Sequence, residues 1–360
     1  MINLNEYKRW FADQLDEEVV SLIRLGGGHN SQTYRIACRS GRSVAAKIYH
    51  RHSADPRDRL AVEFRTLSFL WNHGIREIPQ PLIENTPQGF ALYQFVAGEA
   101  IDVVQIKEMD IDRTVDFLVS LNTLKNDFEA ADLPSASEAC FSCASIVENI
   151  KGRFDRLLKV PTREIFGEAL HQFLNGQFKP LFERVIPWSE SLLERNGLSL
   201  KRPLPLAERT LSPSDFGFHN ALRLKDGRLI FLDFEYFGWD DPAKMILDFV
   251  LHPAMNLPHQ LKERFVKKMI NHFDPDGPLP LRLKAFYPLF GLKWGMILLN
   301  EFVGEDWSRR QFAAPGVVDI GEKRAHQLLK AEKMLSEIEG SYENRSFSSW
   351  PAGYPVGPPK

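Results

Sequence analysis

The sequence predicts an α+β fold with two lobes, in which a small antiparallel sheet with one helix precedes a larger, mainly helical part. Five strand-like runs and one amphipathic helix occupy residues 1–98. Helical periodicity runs through 104–196 and resumes after about 241, with a short hairpin between the two regions. We therefore expect an N-terminal lobe over 1–98, a helical lobe over 99–345 and a Pro/Gly-rich tail over 346–360.

Composition excludes several functional classes. The 360 residues, 44% hydrophobic and 26% charged, are typical of a globular protein with two lobes. A net charge of −2 gives no basic surface for nucleic acid, and no apolar run approaches the ~18 residues that span a bilayer. The start, MINLNEYKRWF, does not resemble a signal peptide, and only three cysteines are present. We expect a cytoplasmic protein that binds neither nucleic acid nor membrane.

The strands of the first lobe are predicted from its apolar runs. β-branched and apolar stretches bounded by Gly and Ser predict the strands VVSLIRL, QTYRIA, SVAAKIY, PQPLIE and FALYQFV. A helix between the third and fourth strands has Asp55 as its predicted cap, Pro56 in its first turn and Gly74 just beyond its end. The two apolar runs ALRL and LIFL flank K-D-G-R, which predicts a hairpin over 221–232.

Cys140 and Cys143 form an isolated C-F-S-C, which we interpret as packing rather than as a metal or redox site.

The segment LSPSDFGFHNAL contains D-F-G, the letters that mark a magnesium-binding aspartate in protein kinases. A kinase-like site needs two aspartates, one at the acceptor hydroxyl with an asparagine downstream, and one after a hairpin strand that binds magnesium. If Asp215 were the metal ligand, the acceptor-side aspartate with its asparagine should lie shortly upstream. No aspartate lies between Asp155 and Asp215. Asp215 and Asn220 themselves form D-x4-N, and the hairpin then leads to Asp233. We predict that Asp215 is the acceptor-side residue and Asp233 the metal ligand.

Each of these motifs has a structural alternative. A D-x4-N occurs by chance in many proteins, and an aspartate after a strand often caps a turn. The order of the motifs, the hairpin and the interval between them favour the functional interpretation.

Lys47 and Glu63 are charged residues at positions that the pattern predicts to be buried. Lys47 lies on an otherwise apolar strand, and Glu63 lies on the apolar stripe of the first-lobe helix. Such a pair would place the lysine on nucleotide phosphates, although a structural ion pair or a solvent-exposed Glu63 are the alternatives. The glycine-rich loop with Gly26, Gly27, Gly28 and Asn30 could bring backbone close to phosphate, or could be an ordinary hairpin turn. The backbone of Gln94 to Val96 is predicted to bind the base.

With these residues placed, the chain resembles the aminoglycoside phosphotransferase and choline kinase-like family of small-molecule kinases, over roughly 19–305. The resemblance implies a protein kinase-like fold and transfer of the γ-phosphate of ATP or GTP to a hydroxyl group with Mg²⁺. It implies that Lys47 binds phosphates, Glu63 orients Lys47, Asp215 is the catalytic base, and Asn220 and Asp233 hold magnesium. The family usually has H-G-D where this chain has Pro213-Ser214-Asp215.

The acceptor is expected to be a small polar molecule, either an amino sugar, an amino alcohol or a neutral sugar. Glu235, Trp239 and Asp240 are the predicted walls of its pocket, unless these acids are solvated surface. Asp241 and Asp248 are predicted to hold structure, because Asp241-Pro242 has the form of a helix start. The alternative function is that of a pseudokinase, a nucleotide-binding or interaction protein without turnover. A protein kinase is disfavoured because the interval after Asp233 is too short for an activation segment.

Overall fold

A computed structural model describes residues 4–25, 30–50, 58–274, 277–304, 312 and 319–343. The chain forms two compact units. The first comprises Met1–Ala100, Asn220–Tyr236 and Ser308–Val318, and the second comprises Ile101–His219, Phe237–Trp307 and Asp319–Lys360.

The first unit is built on a five-stranded antiparallel sheet with the order β1-β2-β3-β5-β4. Its strands are β1 (Val19–Arg24), β2 (Ser31–Cys38), β3 (Ser43–Tyr49), β4 (Pro81–Asn85) and β5 (Phe90–Gln94). All five strands predicted from the apolar runs are therefore confirmed. Lys47 lies on the central strand β3, opposite Thr33 and Ala91. Because β3 is paired on both sides, the backbone that carries Lys47 is held in place.

Of the helices whose bounds the structure describes, two belong to the same unit. The first, α1 (Leu4–Leu15), was not predicted, and its Phe11 is fully buried in a cluster with side chains of the sheet. The second, α2 (Arg59–Asn72), is the predicted helix, but it begins later than expected. Its N-cap is Asp58, whose side chain accepts a hydrogen bond from the amide of Ala61 at 3.0 Å. The predicted cap, Asp55 with Pro56, lies outside the described residues. Gly74 follows the helix with φ +86°, as the prediction of a glycine beyond the end requires.

The predicted hairpin is also confirmed. It consists of β8 (Ala221–Arg223) and β9 (Leu229–Phe231), and β8 also pairs with β6 (Glu99–Ala100). Gly227, in the turn, has φ +83°, a conformation that favours glycine. The amide of Phe231 donates to the carbonyl oxygen of Glu77 at 2.7 Å, which ties the strand before Asp233 to the segment after α2.

The second unit is mainly helical. Its helices are α3 (Glu108–Thr123), α4 (Cys143–Leu158), α5 (Gly167–Phe173), α6 (Lys179–Glu194), α7 (Pro242–Leu251), α8 (His259–Phe273), α9 (Leu279–Leu298) and α10 (Ile320–Glu343), and its strands β7 (Thr210–Ser212) and β10 (Gly238–Asp240) pair with each other. The helix α9 packs against α4, α6, α7 and α10 and forms the centre of this unit. Among the described residues, no helix has both the length and the apolarity needed to cross a membrane.

The start of α7 confirms the structural role predicted for Asp241. Its side chain caps the helix by accepting a hydrogen bond from the amide of Ala243 at 2.7 Å, and Pro242 occupies the first turn. Arg282 donates to the same carboxylate. The cap and the ion pair together fix the chain at the junction of β10 and α7.

Lys244, on α7, is buried and bridges acidic side chains of the same unit. Its Nζ lies 2.8 Å from Asp240 Oδ2, 2.9 Å from Asp248 Oδ2 and 3.1 Å from the hydroxyl of Ser214. Burial alone would lower the pKa of Lys244, but the carboxylates of Asp240 and Asp248 raise it above its ordinary value. The lysine is therefore charged, and it links α7 to the residue directly before Asp215.

Cys140 and Cys143 are buried free thiols, as the packing interpretation predicts. Burial raises the pKa of the Cys143 thiol to about 12 and also raises the pKa of Cys140. Neither sulfur is a reactive thiolate at neutral pH.

We expect Asp58→Ala to destabilise the protein by about 1 kcal/mol, because the variant loses the side-chain cap of α2. Urea denaturation measures the change. Asp58→Asn is the matched control, since an asparagine retains an oxygen that caps a helix, and it should remain close to wild type. Equal losses in both variants would show that charge rather than capping matters at this position.

Lys244→Met should lower the free energy of unfolding by about 3–5 kcal/mol, because two buried carboxylates lose their bridging cation. The triple variant with Asp240→Asn and Asp248→Asn should recover a substantial part of that loss, since no buried charge is then left unpaired. Denaturation curves of the two variants test the claim. A triple variant less stable than Lys244→Met alone would contradict it.

Candidate nucleotide and catalytic residues

The ammonium group of Lys47 is the centre of a buried charge cluster in the first unit. Its Nζ donates to Glu63 Oε2 at 2.6 Å and to Asp233 Oδ1 at 2.5 Å, and it lies 3.7 Å from Glu235 Oε2. The side chain of Lys47 is 11% exposed. Although burial opposes the charge, Asp233 and Glu63 raise the pKa of Lys47 well above its usual range, so the lysine is protonated. The structure thus brings Asp233 together with Lys47 and Glu63, which the sequence had already paired with each other.

Glu63 is held by groups other than Lys47. The hydroxyl of Tyr49 donates to Glu63 Oε2 at 2.7 Å, and the backbone amide of Phe234 donates to Oε1 at 3.3 Å. The hydroxyls of Tyr49 and Tyr93 lie 2.7 Å apart. The carboxylate therefore has a fixed orientation on the face of α2 that meets β3, and the alternative of a solvent-exposed Glu63 is excluded.

Glu235 lies inside this cluster. Its side chain is 1% exposed, Arg59 Nε is 3.5 Å from its Oε1, and the side-chain amide of Asn30 donates to the same oxygen. Burial and the neighbouring Asp233 raise the pKa of Glu235 to about 7. The wall role predicted for Glu235 therefore needs correction, because its carboxylate is directed to Lys47 and Arg59.

The donor set fits a magnesium ion. Carboxylate oxygens of Glu63, Asp233 and Glu235 all lie within 4.8 Å of one another, and oxygen ligands are those that magnesium prefers. Among the described residues, these three carboxylates pair with two cations, Lys47 and Arg59, and burial together with the neighbouring Asp233 raises the pKa of Glu235. A divalent cation would offset that charge.

Asp233 follows β9 in a left-handed conformation with φ +67°. Such a conformation is uncommon outside glycine, although aspartate adopts it more readily than most residues. In an extended conformation, the side chains after β9 would go on pointing to alternate faces of the strand. The left-handed conformation of Asp233 breaks this alternation, and its carboxylate binds Lys47. Asn220 stands at the start of the same hairpin, and its carbonyl oxygen accepts from the amide of Leu232 at 2.8 Å. The hairpin thus brings the backbone of Asn220 close to the residue before Asp233.

The other residues predicted to bind nucleotide are only partly described. Gly26, Gly27 and Gly28 lie outside the described residues. Asn30 is buried and donates from its side chain to the Tyr236 hydroxyl at 2.6 Å. The backbone amide of Gln94 donates to the carbonyl oxygen of Gln80 at 2.8 Å. Val96 is half-buried in the connection between β5 and β6.

In the second unit, Asp215 is held by two imidazole rings. His219 Nε2 and His252 Nε2 each lie 3.2 Å from Asp215 Oδ1. The rings are stacked, with centroids 4.0 Å apart and planes at 9°. Burial alone would raise the pKa of Asp215, but the two hydrogen bonds hold it well below its usual range. Asp215 is therefore an ionised carboxylate with a defined orientation.

The glycine of D-F-G has a packing reason in this chain. A Cβ at Gly217 would lie 2.5 Å from Met255 Sδ and 2.9 Å from His219 Nδ1, closer than real Cβ atoms approach. Phe216, the middle residue, is buried and stacks on Phe117 with ring centroids 5.8 Å apart. The motif is thus accounted for by packing around the loop that presents Asp215 and His219.

The residue before Asp215 is also unusual. Ser214 has φ +67°, which is strained for a residue with a side chain, and its hydroxyl donates to the carbonyl oxygen of Ser137 at 2.9 Å. Lys244 donates to the same hydroxyl. These contacts hold the turn that the sequence writes as Pro213-Ser214-Asp215.

Trp239 and Asp240, the other two predicted wall residues, are buried. The indole N–H of Trp239 donates to the carbonyl oxygen of Ala130 at 2.9 Å, and Asp240 is fully buried beside Lys244. The predicted acceptor contacts therefore need correction, because both polar groups already have partners in the interior of the second unit.

Sequence reasoning missed Tyr49, Arg59 and His252. Tyr49 shares the face of β3 with Lys47, so the alternation of the strand could have indicated it. Arg59 opens α2 and is buried next to Glu235, which is remote in sequence. His252 follows α7, and no local pattern relates it to Asp215.

Comparisons with known proteins identify a family and a fold. Residues 21–283 match the model of the phosphotransferase enzyme family. A search of curated proteins finds no matching sequence.

Solved structures share the fold. Choline kinase LicA from Streptococcus pneumoniae is 16% identical with a TM-score of 0.57, and the match covers 93% of this chain and 100% of that chain. An ethanolamine kinase from Plasmodium vivax is 14% identical with a TM-score of 0.58, over 94% and 86%. Spectinomycin phosphotransferase APH(9)-Ia, in complex with ADP and spectinomycin, is 14% identical with a TM-score of 0.61, over 94% and 98%.

At these identities the structures establish the fold alone, which is the protein kinase-like α+β fold that the sequence predicts. The family match extends over more than half of the chain and includes Lys47, Glu63, Asp215 and Asp233. The chain belongs to the phosphotransferase enzyme family.

Proposed function

We propose that this protein transfers the γ-phosphate of ATP or GTP to a hydroxyl group of a small polar molecule. The observation that carries the proposal is the position of Lys47, buried on a central strand and bound at once by Glu63 and Asp233. A lysine held in this way by one carboxylate from a helix and one from a hairpin is the arrangement that kinases use for nucleotide phosphates. In the proposal, residues 1–98 with the hairpin bind the nucleotide and the helical part binds the acceptor.

The first unit supplies the nucleotide side of the reaction. Lys47 would pair with nucleotide phosphates while Glu63 keeps its ammonium group in place. Asp233 and Asn220 would hold Mg²⁺, and the buried carboxylate of Glu235 is a further candidate ligand. Bound magnesium would neutralise charge on the phosphates as the terminal group departs. We propose backbone groups of the glycine loop and of Gln94 to Val96 as the contacts to phosphate and base.

Asp215 supplies the acceptor side. An ionised carboxylate accepts a hydrogen bond from the acceptor hydroxyl and orients its oxygen towards the γ-phosphorus. As the new P–O bond forms, the bond from the γ-phosphorus to the bridging oxygen of the nucleotide breaks and ADP or GDP leaves. The hydroxyl proton passes to Asp215 and then to solvent. The lowered pKa of Asp215 makes it a weak base, so its main contribution is orientation.

The acceptor class that we propose is supported by the similar structures and by the surroundings of Asp215. The similar structures include choline, ethanolamine and spectinomycin kinases, and we propose an amino alcohol, an amino sugar or a sugar for this chain. Trp294, on α9, is half-buried, packs edge-on against His252 at 4.5 Å and donates to Asp248 Oδ1 at 3.0 Å. Because Trp294 is half-buried whereas Trp239 and Asp240 are buried, we propose the ring of Trp294 as an acceptor contact in their place.

A second candidate, nucleotide binding without turnover, is favoured by one observation. Pro213 stands where the resemblance places a histidine. The ionised and oriented Asp215 favours turnover instead.

Asp233→Asn should abolish magnesium-dependent nucleotide binding, because the variant loses a carboxylate that both pairs with Lys47 and ligates the metal. With wild type, ATP or GTP at 100 times its Kd should stabilise the fold by about 2.7 kcal/mol. Thermal-shift titrations with and without Mg²⁺ measure this. Asp226→Asn, on the exposed turn of the same hairpin, is the matched control and should behave as wild type. A full magnesium-dependent shift in Asp233→Asn would contradict the assignment.

Asp215→Asn should keep nucleotide binding and lose turnover by on the order of 10²- to 10⁴-fold, because the variant loses the carboxylate that orients the acceptor hydroxyl and takes up its proton. The measurement compares ADP production in the presence of an acceptor with the thermal shift given by MgATP. Loss of the thermal shift together with turnover would place Asp215 on the nucleotide side. Unchanged turnover would remove it from the mechanism.

A further inference from the structure

His252 approaches Asp215 in a way that the phosphotransfer chemistry alone does not require. It follows the last turn of α7, its side chain is 12% exposed, and its Nε2 lies 3.2 Å from Asp215 Oδ1. His219 reaches the same oxygen from the loop after Asp215, at the same distance. The stacked rings therefore direct two nitrogen atoms to one carboxylate oxygen.

The tautomer of His252 is set by a second contact. The backbone amide of Ala254 donates to His252 Nδ1 at 3.1 Å, so Nδ1 is the acceptor nitrogen of the ring. In a neutral imidazole the other nitrogen then carries the proton, and this nitrogen, Nε2, faces Asp215. A doubly protonated ring would turn an N–H towards the Ala254 amide. Burial and the neighbouring His219 also lower the pKa of His252.

The tautomer distinguishes two uses of this cluster. Side-chain donor atoms of Asp215, His219 and His252 lie within 4.8 Å of one another, a grouping that could hold a metal ion. A metal at His252 Nε2 would need a lone pair there and the proton on Nδ1, where the Ala254 amide opposes it. The contacts of this ring therefore favour hydrogen bonding to Asp215.

We propose that His252 is a positioning residue for Asp215, and that it acts as a neutral imidazole donating its Nε2–H to Oδ1. The proposal rests on the proposed function, in which Asp215 orients the acceptor hydroxyl. A carboxylate on a single-bonded side chain rotates about two torsions, and a fixed N–H donor removes part of that freedom. The Ser214 turn holds the backbone of Asp215, and His252 holds its carboxylate.

The kinetic test compares three variants. His252→Phe keeps a planar ring against His219 and removes the N–H donor, and kcat should fall about 10- to 100-fold because the reacting groups lose their alignment. The KM for the nucleotide should not change. His252→Gln, whose side-chain amide can donate, should recover part of the loss. His272→Phe, at an exposed position on α8, is the control and should match wild type. Wild-type kcat in His252→Phe would overturn the proposal.

A spectroscopic test is independent of turnover. Proton–nitrogen correlation spectra of histidine-labelled protein at neutral pH should show a neutral ring protonated on Nε2 for His252, with signals that shift in Asp215→Asn. A ring protonated on Nδ1, or a charged imidazolium, would overturn the proposal whether or not the protein phosphorylates an acceptor. If wild type phosphorylates no hydroxyl compound, the proposed function fails, and the spectra alone decide whether His252 binds Asp215.

Discussion

The ion pairs of the Lys47 ammonium group are the interactions that join the elements of the first unit around its charged cluster. Lys47 stands on a central strand that is otherwise apolar, and such a charge is tolerated only when it is paired. Glu63 comes from α2 and Asp233 from the end of the hairpin, so one cation joins strand, helix and hairpin. Glu235 and Arg59 belong to the same cluster, so removal of either carboxylate would change the ion pairing of all its members. Carboxylate oxygens of Glu63, Asp233 and Glu235 lie close enough together that the cluster could hold a metal ion.

In the second unit, a buried and paired charge likewise lies next to the segment that carries Asp215. A buried cation, Lys244, binds Asp240, Asp248 and the hydroxyl of Ser214, and Ser214 precedes Asp215 in a left-handed turn. Asp233 in the first unit has the same φ of +67°. Strained non-glycine residues persist where their surroundings hold them, and two of the six that have a positive φ among the described residues, Ser214 and Asp233, lie in the two motifs proposed for chemistry. In both units, a buried lysine and a residue with positive φ thus lie at, or directly before, the aspartate proposed for chemistry.

The charged cluster of the first unit could be predicted from charged residues at positions where the surrounding pattern is apolar. Lys47 on an apolar strand and Glu63 on an apolar stripe indicated each other, and Asp226-Gly227 indicated the hairpin that leads to Asp233. The helix α1 has no comparable signal, and the cap of α2 was placed too early because Asp58 competes with Asp55-Pro56. Side chains whose roles depend on distant partners could not be inferred. Glu235, Trp239 and Asp240 were expected at a pocket wall, but burial beside Arg59, Ala130 and Lys244 is a tertiary property. His252 was missed for the same reason.

The most direct test of the account is to look for the phosphorylated product itself. Purified protein with MgATP or MgGTP and a panel of amino alcohols, amino sugars and sugars would be followed by phosphorus NMR. The account predicts a new phosphomonoester resonance with at least one acceptor, formed in step with the nucleoside diphosphate. Binding of the nucleotide with no phosphomonoester for any hydroxyl compound, or release of inorganic phosphate only, would contradict the central claim that Asp215 directs an acceptor hydroxyl to the γ-phosphate.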